Sequence, residues 1–268
     1  MSITFSTCWY VFKAKFDTMT YLKWIDNMLS NVNNYNLVIY SDSFSSPCLQ
    51  PYLDNPRVKL VIKPHEMFYN YRYKNAWIAN HEKNELLKNR VDWKVNMLWA
   101  EKIHFVYETI ECQYFDTEFY GWCDIGYFRG NEKDLDYGAL SKWPSEQKIA
   151  RLNKEKIYYA CVNNDDVYMD SLYQMVQNRN RFTLPAVPIP PHQVSIAGGF
   201  FICHKDKIDW WRDTFDQRLS LYFRQNYLVK DDQVVIIDCI LSNLDDFNLI
   251  RENDHRYDNW FLFQRYLL

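Results

Sequence analysis

The sequence predicts an α/β fold with a mostly parallel central sheet flanked by helices, and three observations carry that prediction. Short apolar runs closed by turn residues alternate with stretches whose apolar residues recur at helical spacing. All six glycines come late in the chain, beginning at Gly121, and they cluster beside apolar runs rather than in early turns. The 268 residues are 48 % hydrophobic and 24 % charged, which suits one large domain with a real core and excludes the disordered class.

Taken in order, residues 3–12 are apolar and β-branched, a first strand. Tyr21, Leu22, Ile25, Met28 and Leu29 then repeat along one helix face. Residues 37–40, ending in Ser41-Asp42, and 58–62, ending in Lys63-Pro64, read as two buried strands. Between Asp92 and Ile110, Val95, Leu98, Trp99, Ile103, Val106 and Ile110 form a helical stripe, and a strand follows over 119–125. Further strands are expected at 157–162 and 194–203. The intervening segment contains Pro185, Pro188, Pro190 and Pro191 and reads as a surface loop inside the same domain. Helices over about 206–227 and 232–241 precede an aromatic tail at 260–266, with no internal repeat.

Charge and cysteine usage narrow the function. Thirty-one basic against 34 acidic side chains leave a net charge of −3, which is no nucleic-acid footprint. Seven cysteines are scattered singly, without zinc spacing, as in a reducing, cytoplasmic compartment. The first residues lack a basic segment followed by a long apolar run, and no stretch is apolar enough to span a membrane, so a soluble protein without a transmembrane segment is expected. Aromatic residues make up 18 % of the chain, which leans towards a surface that handles ligands.

Glycine is used where φ is positive or a ligand must approach the backbone, so both glycine clusters mark candidate site segments as well as candidate turns. In FYGWCDIGYFRG, Asp124 leaves an apolar strand just before Gly126. A carboxylate at the carboxyl end of a strand suits a hard cation bridging phosphates, and it equally suits an Asp that caps a turn. Lys102 lies at about −20° on the helical wheel counted from Val95, in the middle of the apolar stripe. A buried ammonium there has to meet a bound phosphate or a carboxylate, unless its stem carries it out to solvent. The second cluster, Gly198-Gly199, opens an apolar strand; after one helix comes Lys230-Asp231-Asp232-Gln233. Asp231 and Asp232 could supply a base and a hydroxyl anchor at a helix start, or a plain N-cap.

The order strand, helix, strand ending in an acid (Asp42), helix carrying a base (Lys102), apolar strand ending in an Asp-x-Asp-type motif resembles the glycosyltransferase A (GT-A) fold. More narrowly, DWKVNMLWAEKIHFV leading to YGWCDIGYFR, about 40 residues, resembles the HtrL/YibB-like glycosyltransferases. The resemblance implies a single GT-A-like domain over 1–268, with a donor half at about 1–130 and an acceptor half at about 131–268. It implies transfer of a sugar from a UDP- or GDP-sugar to a glycan or other hydroxyl acceptor, assisted by Mn²⁺ or Mg²⁺. Asp124 and His255 would hold the metal. Lys102, Asp42, Arg129 and Gly126 would face the donor; Gly198, Gly199, Gln233 and Trp210 would line the acceptor and sugar pocket. Asp232, with Asp231 as substitute, would be the base. Gly126 stands where the second Asp of the standard motif would be, which weakens metal binding. The competing class is a non-catalytic carbohydrate-binding module; a nucleotidyltransferase would carry a glycine-rich phosphate loop early in the chain, and no glycine precedes Gly121.

Overall fold

A computed structural model describes residues 3–130 and 137–268. Seven strands, β1 (Ile3–Trp9), β2 (Tyr35–Ser41), β3 (Val58–Ile62), β4 (Phe119–Cys123), β5 (Ile157–Ala160), β6 (Phe200–His204) and β7 (Phe247–Ile250), form one sheet in the order β3-β2-β1-β4-β6-β5-β7. The α-helices among the described residues are α1 (Thr18–Leu29), α2 (Lys74–Lys83), α3 (Trp93–Glu111), α4 (Tyr137–Leu140), α5 (Glu146–Ile149), α6 (Asp166–Gln177), α7 (Ile208–Arg224), α8 (Asp232–Ser242) and α9 (Leu262–Tyr266). None is long and apolar enough to cross a membrane.

The first four strands run parallel to one another, and β5 runs parallel to β7, while β6 runs antiparallel to both β4 and β5. The sheet is therefore mostly parallel, with one reversed strand in its interior. The chain lays down β1, β2 and β3 outward in one direction, then returns to place β4 on the other side of β1. That reversal makes the carboxyl ends of β1 and β4 the switch point at which open α/β sheets form a crevice. Reversed β6 has a second consequence. Cys123 at the end of β4 is opposite Phe200 at the start of β6, so Gly198-Gly199 arrive at the same edge of the sheet as the carboxyl end of β4.

Alternation along β1 feeds two cores. Ile3, Phe5 and Trp9 join α1, α9 and the tail on one face, whereas Cys8 and Tyr10 join α3, α7 and α8 on the other. Helix α3 starts at Asp92, whose carboxylate accepts from the amide of Lys94 at 2.9 Å. Its Glu101, fully buried, accepts from the amides of Tyr69 (2.7 Å) and Asn70 (3.0 Å) and so anchors the 68–73 turn. Burial pushes the Glu101 carboxyl pKa up, against the pull of those donors and of His104 and Lys63.

Several elements differ from the sequence expectation. The strand expected over 194–203 begins only at Phe200. Residues 194–199 approach the sheet irregularly, with a single bridge from Ile196 to Cys161. Helices α2 and α6 and strand β7 have no counterpart in the sequence reading. In α2, KNAWIANHEK, the buried residues are Trp77 and Asn80, so apolar periodicity has almost nothing to report. The segment around Pro185 to Pro191 is a loop, as expected.

Candidate active site

Two adjoining clefts, of about 420 Å³ and about 120 Å³, open at the switch point and share Lys15, Phe16, Tyr21, Trp99, Lys102, Asp124, Gly126 and Arg129 along their walls. At their floor is Lys102, only 6 % exposed. Its ammonium donates to the carbonyl of Gly198 at 2.8 Å and stands 3.2 Å from Asp124 Oδ1 and 3.2 Å from Asp232 Oδ2. Of the two partners offered to Lys102 by its place on the stripe, the structure supplies the carboxylate, twice over. Three segments far apart in sequence, α3, the end of β4 and the start of α8, meet on one cation.

The glycines explain how the carboxylates come so close. A Cβ on Gly199 would stand 3.0 Å from Asp124 Oδ2, and one on Gly198 would stand 3.1 Å from Asp232 Oδ2 and 2.9 Å from Gln233 Cγ. Neither glycine has a positive φ, so close approach, not a turn, is what requires them. Asp124 also accepts from Trp122 Nε1 at 2.5 Å, and its amide donates to the carbonyl of Gly199 at 2.9 Å. Among the described residues its carboxylate caps no turn.

Asp231 and Asp232 are each 3 % exposed. Asp231 occupies the N-cap position of α8, yet its side chain makes no capping bond; it pairs instead with Lys230 at 2.6 Å, and its Oδ1 is buried without a partner among the described residues. Burial, reinforced by Asp231 and Asp124 and opposed by Lys102, lifts the Asp232 pKa from 3.8 to about 6. Burial alone would lower the Lys102 pKa, but Asp124 and then Asp232 outweigh it and raise the pKa above the ordinary value. At the rim, burial lowers the Lys15 pKa even though part of its side chain reaches solvent.

The segment that carries the Asp pair is clamped from behind by asparagines. Asn80 donates to the carbonyl of Val229 (2.8 Å) and accepts from its amide (2.9 Å), while Asn84 and Asn96 both donate to the carbonyl of Lys230, at 2.9 and 3.2 Å. Sequence reasoning missed this clamp, and also Trp122 in the smaller cleft, Lys15 in both, and the C-terminal Asp258, Trp260 and Phe261 that line the larger one.

The structure brings together Lys102, Asp124, Gly126, Arg129, Gly198, Gly199, Asp231, Asp232 and Gln233 around the clefts. Three expected residues fall elsewhere. Asp42 is tied up in a turn, its Oδ1 accepting from the amide of Ser45 at 2.6 Å, and it lines neither cleft. Trp210 packs in the helix layer against Phe247 of β7, ring centroids 5.8 Å apart, because the start of α7 lies over β5 and the edge strand β7 and not over the switch point. His255 is exposed on the segment before α9, and the walls receive Asp258 and Trp260 in its place.

That last displacement bears on a metal. With His255 away, Asp124 Oδ1 bonded to Trp122 and both carboxylates facing Lys102, no three His, Cys, Asp or Glu side chains converge among the described residues to hold an ion. Hard cations take six or more oxygen ligands, or keep several waters around one or two carboxylates. Among the described residues the two carboxylates that face each other, Asp124 and Asp232, are both engaged by the Lys102 ammonium, and that donor set does not fit a divalent cation between them. No protein-family model matches the chain, and no curated protein is significantly similar to it.

Proposed function

We propose that the protein is a glycosyltransferase of GT-A type that moves a sugar from a UDP- or GDP-sugar to a glycan or other hydroxyl acceptor. One observation carries the reading: Lys102 gathers Asp124, Asp232 and the Gly198 carbonyl at the switch point, beside a cleft of about 420 Å³. That volume falls in the range of small-molecule sites, roughly 300–1,000 Å³. The aromatic walls, Phe16, Tyr21, Trp99 and Trp260 among them, offer the apolar faces on which sugars and bases stack.

Asp232 is the base. With its pKa lifted to about 6 it is ionised at neutral pH yet basic enough to take a proton, which is the balance general-base catalysis needs. In an inverting transfer, Asp232 accepts the proton of the acceptor hydroxyl while the oxygen bonds to the anomeric carbon. The bond from that carbon to the diphosphate breaks, and the nucleotide leaves with the electron pair. Lys102 holds Asp232 in place, and the buried floor favours an acceptor hydroxyl over bulk water. Asp231, fixed by Lys230, sits beside it as the second carboxylate. The free state of all seven cysteines accords with a cytoplasmic setting.

A hydrolysis screen across nucleotide sugars, with and without Mn²⁺, tests the reading. Release of UDP or GDP from at least one donor, faster when an acceptor is supplied, is the expected result; a folded sample that cleaves none sinks it. The carbohydrate-binding module remains the second reading, because the walls of the larger cleft are aromatic and their charges balance. Lys15, Lys102, Arg129 and Lys230 face Asp124, Asp231, Asp232 and Asp258. Such a module would bind sugar and turn over no donor.

A further inference from the structure

A donor diphosphate brings at least two negative charges, and the clefts distribute their own charges unevenly. Three of the four carboxylates are matched within the floor: Asp124 and Asp232 by Lys102, Asp231 by Lys230. The fourth, Asp258, accepts from the amide of Trp260 at 3.0 Å and caps the turn before α9. Two cations remain, Lys15 and Arg129, and neither has a carboxylate partner among the described residues.

What they have instead are aromatic seats. The Lys15 ammonium lies 4.8 Å from the centre of the Trp99 ring. The Arg129 guanidinium lies 4.5 Å from the Trp24 ring and 4.9 Å from that of Phe261, and its Nε donates to the Gly126 carbonyl at 3.1 Å. A ring fixes a cation's position without neutralising it, and a guanidinium held over rings keeps its other N–H groups for a pair of phosphate oxygens. Both residues line both clefts, so they flank the place where the two spaces join.

We propose that the site takes a diphosphate without a divalent cation, with Lys102 standing between Asp124 and Asp232 and neutralising them, and Lys15 and Arg129 taking the ligand's charge. The proposal rests on the glycosyltransferase reading for the identity of the ligand, and goes beyond it in assigning the charge. A divalent ion at Asp124 Oδ1 would have to displace a buried ammonium that is bonded to a backbone carbonyl, from an oxygen already bonded to an indole. The ammonium also has a geometric advantage, because it is tethered to α3 and arrives with the fold.

Calorimetric titration of the full chain with UDP and with GDP, in chelator and then in Mn²⁺, is the test. The expected result is the same affinity in both conditions, lowered about tenfold or more in Lys15→Ala and in Arg129→Ala, since each loses a charge-assisted contact. Lys15 is at the exposed rim, so its variant folds even should Arg129→Ala loosen the aromatic stack, and unchanged melting temperatures verify this. Binding that vanishes in chelator and returns with Mn²⁺ overturns the proposal and leaves the donor reading standing. Wild-type affinity in both variants overturns the assignment of the two cations. Failure of either nucleotide to bind in any condition overturns the proposal and the donor reading together.

Discussion

Helix α8 carries a buried charge cluster at each end, and the two are inverse in construction. Near its carboxyl end one carboxylate, Asp238, fully buried, is surrounded by donors: Arg179 at 2.9 Å, Arg218 at 3.6 Å, Tyr222 at 3.1 Å and Ser242 at 3.2 Å. Arg179 also donates to the carbonyl of Thr183, so the cluster straps the 178–186 segment onto the helix. At the amino end one ammonium, Lys102, serves two carboxylates, a third is left with an unpartnered oxygen, and a cleft opens alongside. The difference is one of completeness. Where donors surround a buried carboxylate, the charge stabilises the fold; where acceptors outnumber donors beside a cavity, the cluster is the better candidate for the proposed ligand.

The sharpest way to break this comparison is Asp232→Asn. The substitution is nearly isosteric and keeps an oxygen for Lys102, so folding is retained, while turnover of an inverting enzyme falls by about 10²–10⁴-fold. NMR of the product's anomeric configuration accompanies the assay, because a retaining enzyme would lose activity by another route. An Asn variant as active as wild type removes Asp232 from the chemistry.

Next in size is Asp238→Ala, which leaves Arg179 and Arg218 facing each other across an empty acceptor and is expected to cost about 3–5 kcal/mol in urea or thermal unfolding. Catalytic constants of the surviving folded fraction should be unaffected. The reverse pattern, normal stability with lost activity, would make the two clusters alike.

Acid dependence separates the ends again. Because the Asp232 pKa is raised in the folded state, that state binds more protons than the unfolded chain between pH 3.8 and about 6. Its contribution to stability therefore falls as pH rises across that window, by at most about 3 kcal/mol, and is flat above it. The groups facing it are Lys102, Asp231 and Asp124, and Asp232→Asn should abolish this slope in the difference between variant and wild-type unfolding curves. Turnover moves the opposite way, rising through about pH 6 as the base ionises.

Lys102→Met is expected to destabilise by less than Asp238→Ala, about 1–3 kcal/mol, even though it strands two carboxylates. Asp124 is 40 % exposed and can recruit water, and Asp232 can take up a proton. A loss as large as that of Asp238→Ala would show the floor to be as closed as the strap. Smallest of all is Trp210→Ala, which should leave nucleotide affinity unchanged by calorimetry, since the ring packs against β7 and away from the clefts.

Much of this was legible in the sequence, and the legible part was whatever depends on local pattern. The stripe of α3 and the fully buried run of β2 follow from burial, whereas β3, expected to be buried, is an edge strand with only Val58 buried, because apolar composition does not say which strand ends the sheet; the oddity of Lys102 is visible only against the stripe of α3. Gly198 and Gly199 were visible too, though the reason for them, carboxylates 3.0 and 3.1 Å from where a Cβ would be, is a contact between segments distant in sequence. What was illegible depends on which segments meet. Asp42 looks like a donor ligand until the Ser45 amide is seen to hold it, and Trp210 looks like a sugar platform until β7, itself too short and mixed to stand out, is found beneath it. The asparagine clamp hid for a related reason: buried polar residues interrupt the periodicity by which helices are found.

That clamp binds Val229 and Lys230 through main-chain atoms alone. Every amino acid except proline supplies the same amide and carbonyl, so the grip is blind to the side chains it holds. In a mutational library, positions 229 and 230 should accept broad replacement, within the limits of Val229's buried volume and Lys230's pairing with Asp231, without moving the carboxylates by which α8 begins. Positions 80, 84 and 96 should accept almost none. An engineer wishing to retune the pocket thus has a mutable connecting segment whose placement is written on α2, its C-cap and α3.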